Sequence, residues 1–314
     1  FYNGLTNRFK KNINVLESIK NFYSRNKNIV WFDLRDSAGT TQFEVMPYVK
    51  KYVKKQIYSD LNLYNQNMHS NRFYADFYHK NFSVGSEFQN YSTKLESKYS
   101  SKLILGWNLG VSRFFNFQKY TSFSRLMEPL KMFLKYDDTK MEKFRLPFVR
   151  NSSPKKDFHL SYNIRDHEDV TKDAILYQRR FLSKIIAKEY GDKINKKRVS
   201  KSDFFKNLYE SKISIGAYGW GEVCYREFEA IHMGSAIITA DMSKISTWPN
   251  IYIKNETYVP YDLDFSNLKE NIESLTNNEK KRNYLIDNSQ TVCKEIFSTK
   301  GRNYFITLMN KILT

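Results

Sequence analysis

Three charged side chains in one short stretch offer the clearest chemistry. Glu222, Arg226 and Glu229 recur at i, i+4 and i+7. On a helix over residues 222–233 that spacing puts them on one face. Carboxylates in such a stripe can hold the hydroxyls of a diol, and the guanidinium can meet a phosphate. Gly219, Trp220 and Gly221 come just before, with Tyr225 beside them. The two glycines let backbone amides approach a ligand at the helix N-terminus, where the helix dipole favours an anion. A solvent-exposed ladder of i,i+4 ion pairs would use the same residue types and contribute only about 0.3 kcal/mol per pair. The residues alone leave both readings open.

The elements around this stretch must position it. Residues 213–217, Ile-Ser-Ile-Gly-Ala, read as a strand, and residues 235–240 as another, so the segment runs strand, glycine loop, helix, Gly234, strand. Upstream, 158–164 reads as a strand and 172–190 as a helix, and a basic connector over 193–201 leads to Ser202-Asp203 as an N-cap. Helices are expected over 265–275, 279–297 and 302–313. Strands that alternate with helices at this spacing call for parallel sheets. In the first half, 28–33 is an apolar run ending in Asp33, which reads as a buried strand with Asp33 and Asp36 at its carboxyl end. Residues 102–106 form another short strand, and 45–58 fit strand or helix equally. The stretch 148–157, containing Asn151-Ser152-Ser153-Pro154, is the linker. The fold class is therefore α/β with two Rossmann-like domains, 1–150 and 151–314, facing a cleft, and the last helix is placed to pack back on the first domain. Open parallel sheets take ligands at the carboxyl ends of their strands.

On that layout, further side chains become candidates. Asp36 is the first choice for a base, Asp33 the second, each against the ordinary alternative of turn hydrogen bonding. His167 and Arg165 fall in a loop just past a strand, where ligand-binding loops of open sheets belong; His79 is another possible base. Lys155 and Lys156 join Arg226 and Arg165 as cations that could meet an anionic ligand, and Trp107-Asn108 could stack on a ligand ring or simply pack.

Composition narrows the classes. Of 314 residues, 41% are hydrophobic and 27% charged, enough to build packed cores. No run of 18 apolar residues occurs, which excludes an ordinary membrane-spanning helix. Two cysteines and five histidines, widely scattered, give no disulfide framework and no metal site, and suit a reducing compartment. The net charge is +18, and the excess is uneven: residues 1–150 hold 25 basic and 12 acidic side chains, residues 151–314 hold 26 and 21. The first half thus favours an anionic partner. Tyrosines and lysines interleave at 48–55, but no RNP, KH, zinc-knuckle or helix-turn-helix pattern accompanies them, so nucleic acid is the disfavoured partner.

The segment 198–275 resembles the carboxyl-terminal domain of GT-B-fold glycosyltransferases. The matching residues are the glycine loop, Arg226-Glu227-Phe228-Glu229-Ala230, Gly234, and Ala236-Ile237-Ile238. Asp241-Met242-Ser243, Thr247-Trp248-Pro249 and Thr257-Tyr258-Val259-Pro260 resemble the end of that domain in transferases that build bacterial surface polysaccharides, and residues 31–40 carry a weaker likeness. The resemblance implies a metal-independent transferase that moves a sugar from a nucleotide sugar to a glycan or lipid-linked acceptor. It also implies cytoplasmic residence, peripheral on the anionic inner face of the membrane, and no cofactor. By the same resemblance Glu229 holds the nucleotide ribose. Glu222 departs from the pattern: many retaining members separate two glutamates by seven residues, whereas six lie between Glu222 and Glu229, so retention and inversion both stay open. The rivals are a basic nucleic-acid-binding module and a GT-B-like protein that binds glycan without turnover.

Overall fold

The computed structural model describes residues 15–85, 92–111, 148–160, 173–191 and 199–314. Arg165 and His167 lie outside the described residues, as does most of the basic connector.

Short apolar runs form parallel strands in both halves, giving a mixed α/β structure. In the first half, β1 (Val30–Asp33), β2 (Lys51–Lys54) and β4 (Leu103–Leu105) make a parallel sheet in the order β1-β2-β4, with Asp33 opposite Lys54. In the second half, β5 (Lys156–Leu160), β6 (Ser211–Ile215), β7 (Ala236–Ala240) and β9 (Val259–Tyr261) form a four-stranded parallel sheet in that order. All five residues of β7 are buried, as expected for a strand covered on both faces. A third, two-stranded sheet pairs β3 (Gln56–Tyr58) with β8 (Ile245–Thr247) antiparallel, so the halves share backbone hydrogen bonds.

Helices cover these sheets: α1 (Val15–Arg25), α2 (Phe73–Phe82), α3 (Ala174–Tyr190), α4 (Lys201–Tyr209), α5 (Tyr225–His232), α6 (Leu268–Asn277), α7 (Glu279–Ile296) and α8 (Thr299–Leu313). Phe228 and Ile231 of α5, Leu268 and Ile272 of α6, and Leu182 and Ile186 of α3 join Ile213, Ile215 and Ile238 in one buried cluster that also takes in Tyr52, Tyr58 and Tyr74 from the first half. Leu308 and Ile312 of α8 pack on Val53 and Ile104, against the first sheet.

Two local readings are corrected. The helix expected over 222–233 starts at Tyr225, with Cys224 extended at its N-cap (φ −122°, ψ 155°). Glu222 therefore precedes the helix, and Glu222, Arg226 and Glu229 do not share a helical face. The N-cap of α4 is Ser200, whose Oγ accepts from the Asp203 amide at 3.1 Å, rather than Ser202-Asp203. The ambiguous segment 45–58 resolves into a 3-10 turn, Phe43–Tyr48 around Pro47, followed by the short strands β2 and β3.

Candidate functional site

Two loops that leave the carboxyl ends of parallel strands meet. One follows β1 and runs through Asp36, Ser37 and Ala38; the other follows β6 and runs from Gly216 to Cys224. At the contact, the Glu222 carboxylate accepts from the Ser37 hydroxyl (2.7 Å), the Ala38 amide (2.9 Å) and the Gln56 side-chain amide. Glu222 is 3% exposed. Its spacing from Arg226 suggested a helical ladder, whereas its partners stand 166 to 185 residues away in sequence. A carboxylate so fully bonded is a tie between the halves.

Gly221 makes the approach possible. A Cβ there would stand 2.1 Å from the Asp36 carbonyl oxygen, so no larger residue fits without moving the backbone. The glycine loop is fastened on its other side by α2 and the turn before it. Tyr74 Oη donates to Gly219 O at 3.0 Å, Arg72 Nη2 donates to Trp220 O at 3.1 Å, and the Tyr74 and Tyr218 rings stack 4.4 Å apart. Trp220 itself is 62% exposed, and the Arg72 guanidinium lies over its ring, 5.9 Å from the centroid. Tyr225 and Arg226 open α5, half-buried, and Arg226 Nη2 donates to Ala217 O at 3.0 Å. Glu229, one turn on, is half-buried; burial raises its pKa, against the pull of Lys201 and Arg226.

The two aspartates after β1 have different surroundings. Asp33 is 2% exposed and fully engaged: Lys54 Nζ at 3.1 Å, Arg35 Nε and Nη2 at 3.0 Å each, and Tyr52 Oη at 2.5 Å. Burial alone would raise its pKa, but Lys54, Arg35 and Tyr52 overcome this and hold the carboxyl at about 2. Such a group is a poor proton acceptor. Lys54, fully buried, is pulled down to about 8 by burial against the attraction of Asp33, and its ammonium also donates to Thr40 O at 2.9 Å. The cluster thereby fixes both ends of the loop that carries Asp36. Asp36 is exposed on its side-chain atoms (63%) and pairs with Lys55 at 2.8 Å.

Other candidates fall elsewhere. Lys155 and Lys156 lie at the amino end of β5, which runs parallel to β6, and so sit away from the glycine loop; Lys156 pairs with Glu210 at 3.4 Å. Trp107 packs between Phe32 and Phe305, and Asn108 donates to Thr247 Oγ1 and Pro249 O at 2.6 and 2.7 Å, both structural roles. The His79 ring stacks on His69 at 4.2 Å, with Nδ1 2.9 Å from Val84 O.

Sequence reasoning missed Glu227, which is 4% exposed and tucked against Gly216; a Gly216 Cβ would lie 2.9 Å from its Oε1. Its Oε2 is buried and has no hydrogen-bond partner among the described residues. Burial pushes its pKa from 4.5 to about 7, although Arg226 and Arg179 oppose the shift. The folded chain thus holds this proton more tightly than the unfolded chain. Stability is expected to fall as pH rises from about 4.5 to about 7, and to stay lower above that. Glu227→Gln should flatten this decline, matching wild type near pH 4 and exceeding it by up to about 3 kcal/mol at pH 8, as read by urea unfolding at both pH values.

No protein-family model matches the chain, and none of the curated proteins compared with it matches. Among the described residues no group of His, Cys, Asp and Glu is gathered as a metal site, and no helix is long and apolar enough to cross a membrane.

Proposed function

We propose that the protein is a glycosyltransferase that uses a nucleotide sugar, with two Rossmann-like lobes, 1–150 and 151–314, and a GT-B-like site at their seam. The observation that carries the reading is the meeting of the two carboxyl-end loops through Glu222, Ser37 and Ala38. In parallel sheets this is where ligands bind. In the proposed site the nucleotide lies along the glycine loop and the start of α5. Cys224 gives α5 no side-chain cap, so the first-turn amides have no acceptor from that source. Arg226 and these amides stabilise the leaving phosphate without a call on a metal. Glu229 holds the ribose hydroxyls, and Trp220 stacks on a ring of the ligand.

Asp36 takes the acceptor proton, as an inverting reaction requires. Its exposure suits that role, whereas Asp33 serves to position the loop. The acceptor is a glycan or lipid-linked glycan, and the positive charge of the first half draws it, or the anionic inner face of the cytoplasmic membrane where it resides.

Separate substitutions test the assignment. Glu229→Ala is expected to weaken donor binding by tenfold or more. Asp36→Asn is expected to keep binding within twofold of wild type and to reduce turnover a hundredfold or more, the usual scale for losing a general base. Donor titration and transfer assays on the two variants give the answer; full activity in both would overturn the residue roles.

A further inference from the structure

Two lobes of one chain move against each other by default, unless the surface between them is large and apolar. Here the boundary is closed at several separate places. On the backbone, β3 of the first half pairs with β8 of the second, Ile57 opposite Ser246, and the Ser59 amide continues the ladder to Lys244 O at 2.9 Å. Past the end of β8, the Asn108 amide of the first half donates to Trp248 O at 2.7 Å. From α2, Tyr78 Oη donates to Leu263 O at 2.7 Å, and the Phe73 and Tyr74 rings lie 5.7 and 4.4 Å from that of Tyr218. At the two carboxyl-end loops, Gln56 Nε2 donates to Asp36 O at 2.6 Å and also to the Glu222 carboxylate. One amide thus joins β3, the loop after β1 and the glycine loop. Gln56, Tyr74 and Tyr218 are no more than 2% exposed. The buried apolar cluster runs across the boundary, so parting the halves would expose core surface to water as unfolding does.

We propose that the two halves move as one rigid body. The Asp36 loop and the glycine loop are held at a preset separation by the Gln56–Glu222 latch, and no closing motion of the lobes brings them together. The latch stands whether or not the ligand is a nucleotide sugar. A ligand enters from the side on which Trp220 and the Asp36 side chain are exposed, 62% and 63%, without parting the halves.

The experiment is native-state amide hydrogen exchange of the full chain without ligand. The amides of Ala38, Ser59 and Asn108, each donating across the boundary, are compared with those of Ile237 and Ile238 inside β7. A rigid boundary opens only in global unfolding, so all five should be protected to within tenfold of one another and respond equally to added urea. A cross-link gives a second reading. Ser59 Oγ and Ser246 Oγ stand 3.2 Å apart, one on each half, so Ser59→Cys/Ser246→Cys places two thiols within reach of a disulfide after a small adjustment. The oxidised variant should keep the ratio of boundary exchange to β7 exchange within threefold of wild type, because there is no opening for the cross-link to suppress. Exchange at Ala38, Ser59 and Asn108 more than tenfold faster than in β7, or slowed more than threefold relative to β7 by the cross-link, would overturn the rigid boundary and leave the nucleotide-sugar reading standing.

Discussion

Glu222→Ala is expected to lower the unfolding free energy by about 3–5 kcal/mol, because it strips the acceptor from three donors at a buried contact. The Ser37 hydroxyl, the Ala38 amide and the Gln56 amide all point at this one carboxylate, and solvent reaches only 3% of the residue. Glu222→Gln should cost less, since its carbonyl oxygen keeps one acceptor, but its NH2 group then faces donors. Urea unfolding of both variants gives the order wild type, Gln, Ala. The loss should be accompanied by loosening of the seam, seen as faster amide exchange at residues 36–41 in Glu222→Ala. If Glu222 were an exposed member of a helical ladder, both changes would lie within about 0.5 kcal/mol of wild type.

The second large effect is at Asp33. Asp33→Ala leaves Lys54 with no ion-paired carboxylate among the described residues and no exposed side-chain surface, and a buried charge deprived of its partner costs about 3–5 kcal/mol. Replacing both residues, in Asp33→Ala/Lys54→Met, should recover part of the loss, because it removes the orphaned ammonium as well. The pH dependence follows from the depressed pKa. Asp33 titrates at about 2 in the fold against 3.8 for an ordinary aspartate, so its stabilisation is fully present above about pH 4 and fades as pH falls toward 2. The gap between wild type and Asp33→Ala in urea should therefore close across that range. A gap that is constant from pH 7 to pH 2 would show that the ion cluster is not what stabilises the loop.

How much of this was legible in the sequence varies with the physics of each part. The unit β6, glycine loop, α5 and β7 was readable because a strand buried on both faces is a nearly continuous apolar run, and Ala236–Ala240, interrupted only by Thr239, is one. The start of α5 was not, because periodicity at i, i+4 and i+7 continues through Glu222 although the backbone does not. What pulls Glu222 out of the helix is a contact 185 residues away, which no local pattern records. Glu227 and Lys54 were overlooked for a common reason: charged residues read as surface, and only packing around them shows that they are buried. Arg179 sits in the Arg179-Arg180 pair of a long helix, where sequence gives no sign of which one turns to the glycine loop. The stretch 45–58 stayed ambiguous because its strands are only four and three residues long, with a 3-10 turn before them.

The central claim is that the seam between the two parallel sheets grips an activated sugar by its nucleotide. The most direct measurement is thermal unfolding of the wild-type chain with UDP, GDP, CMP and their sugars, beside a single-stranded oligonucleotide. Binding only to the native state at a hundredfold excess over Kd adds about 2.7 kcal/mol, which corresponds to a rise in Tm of roughly 5 °C or more. At least one nucleotide or nucleotide sugar should produce such a rise in wild type and fail to do so in Glu229→Ala. A chain whose Tm is unmoved by every nucleotide, and is raised by the oligonucleotide instead, would contradict the claim.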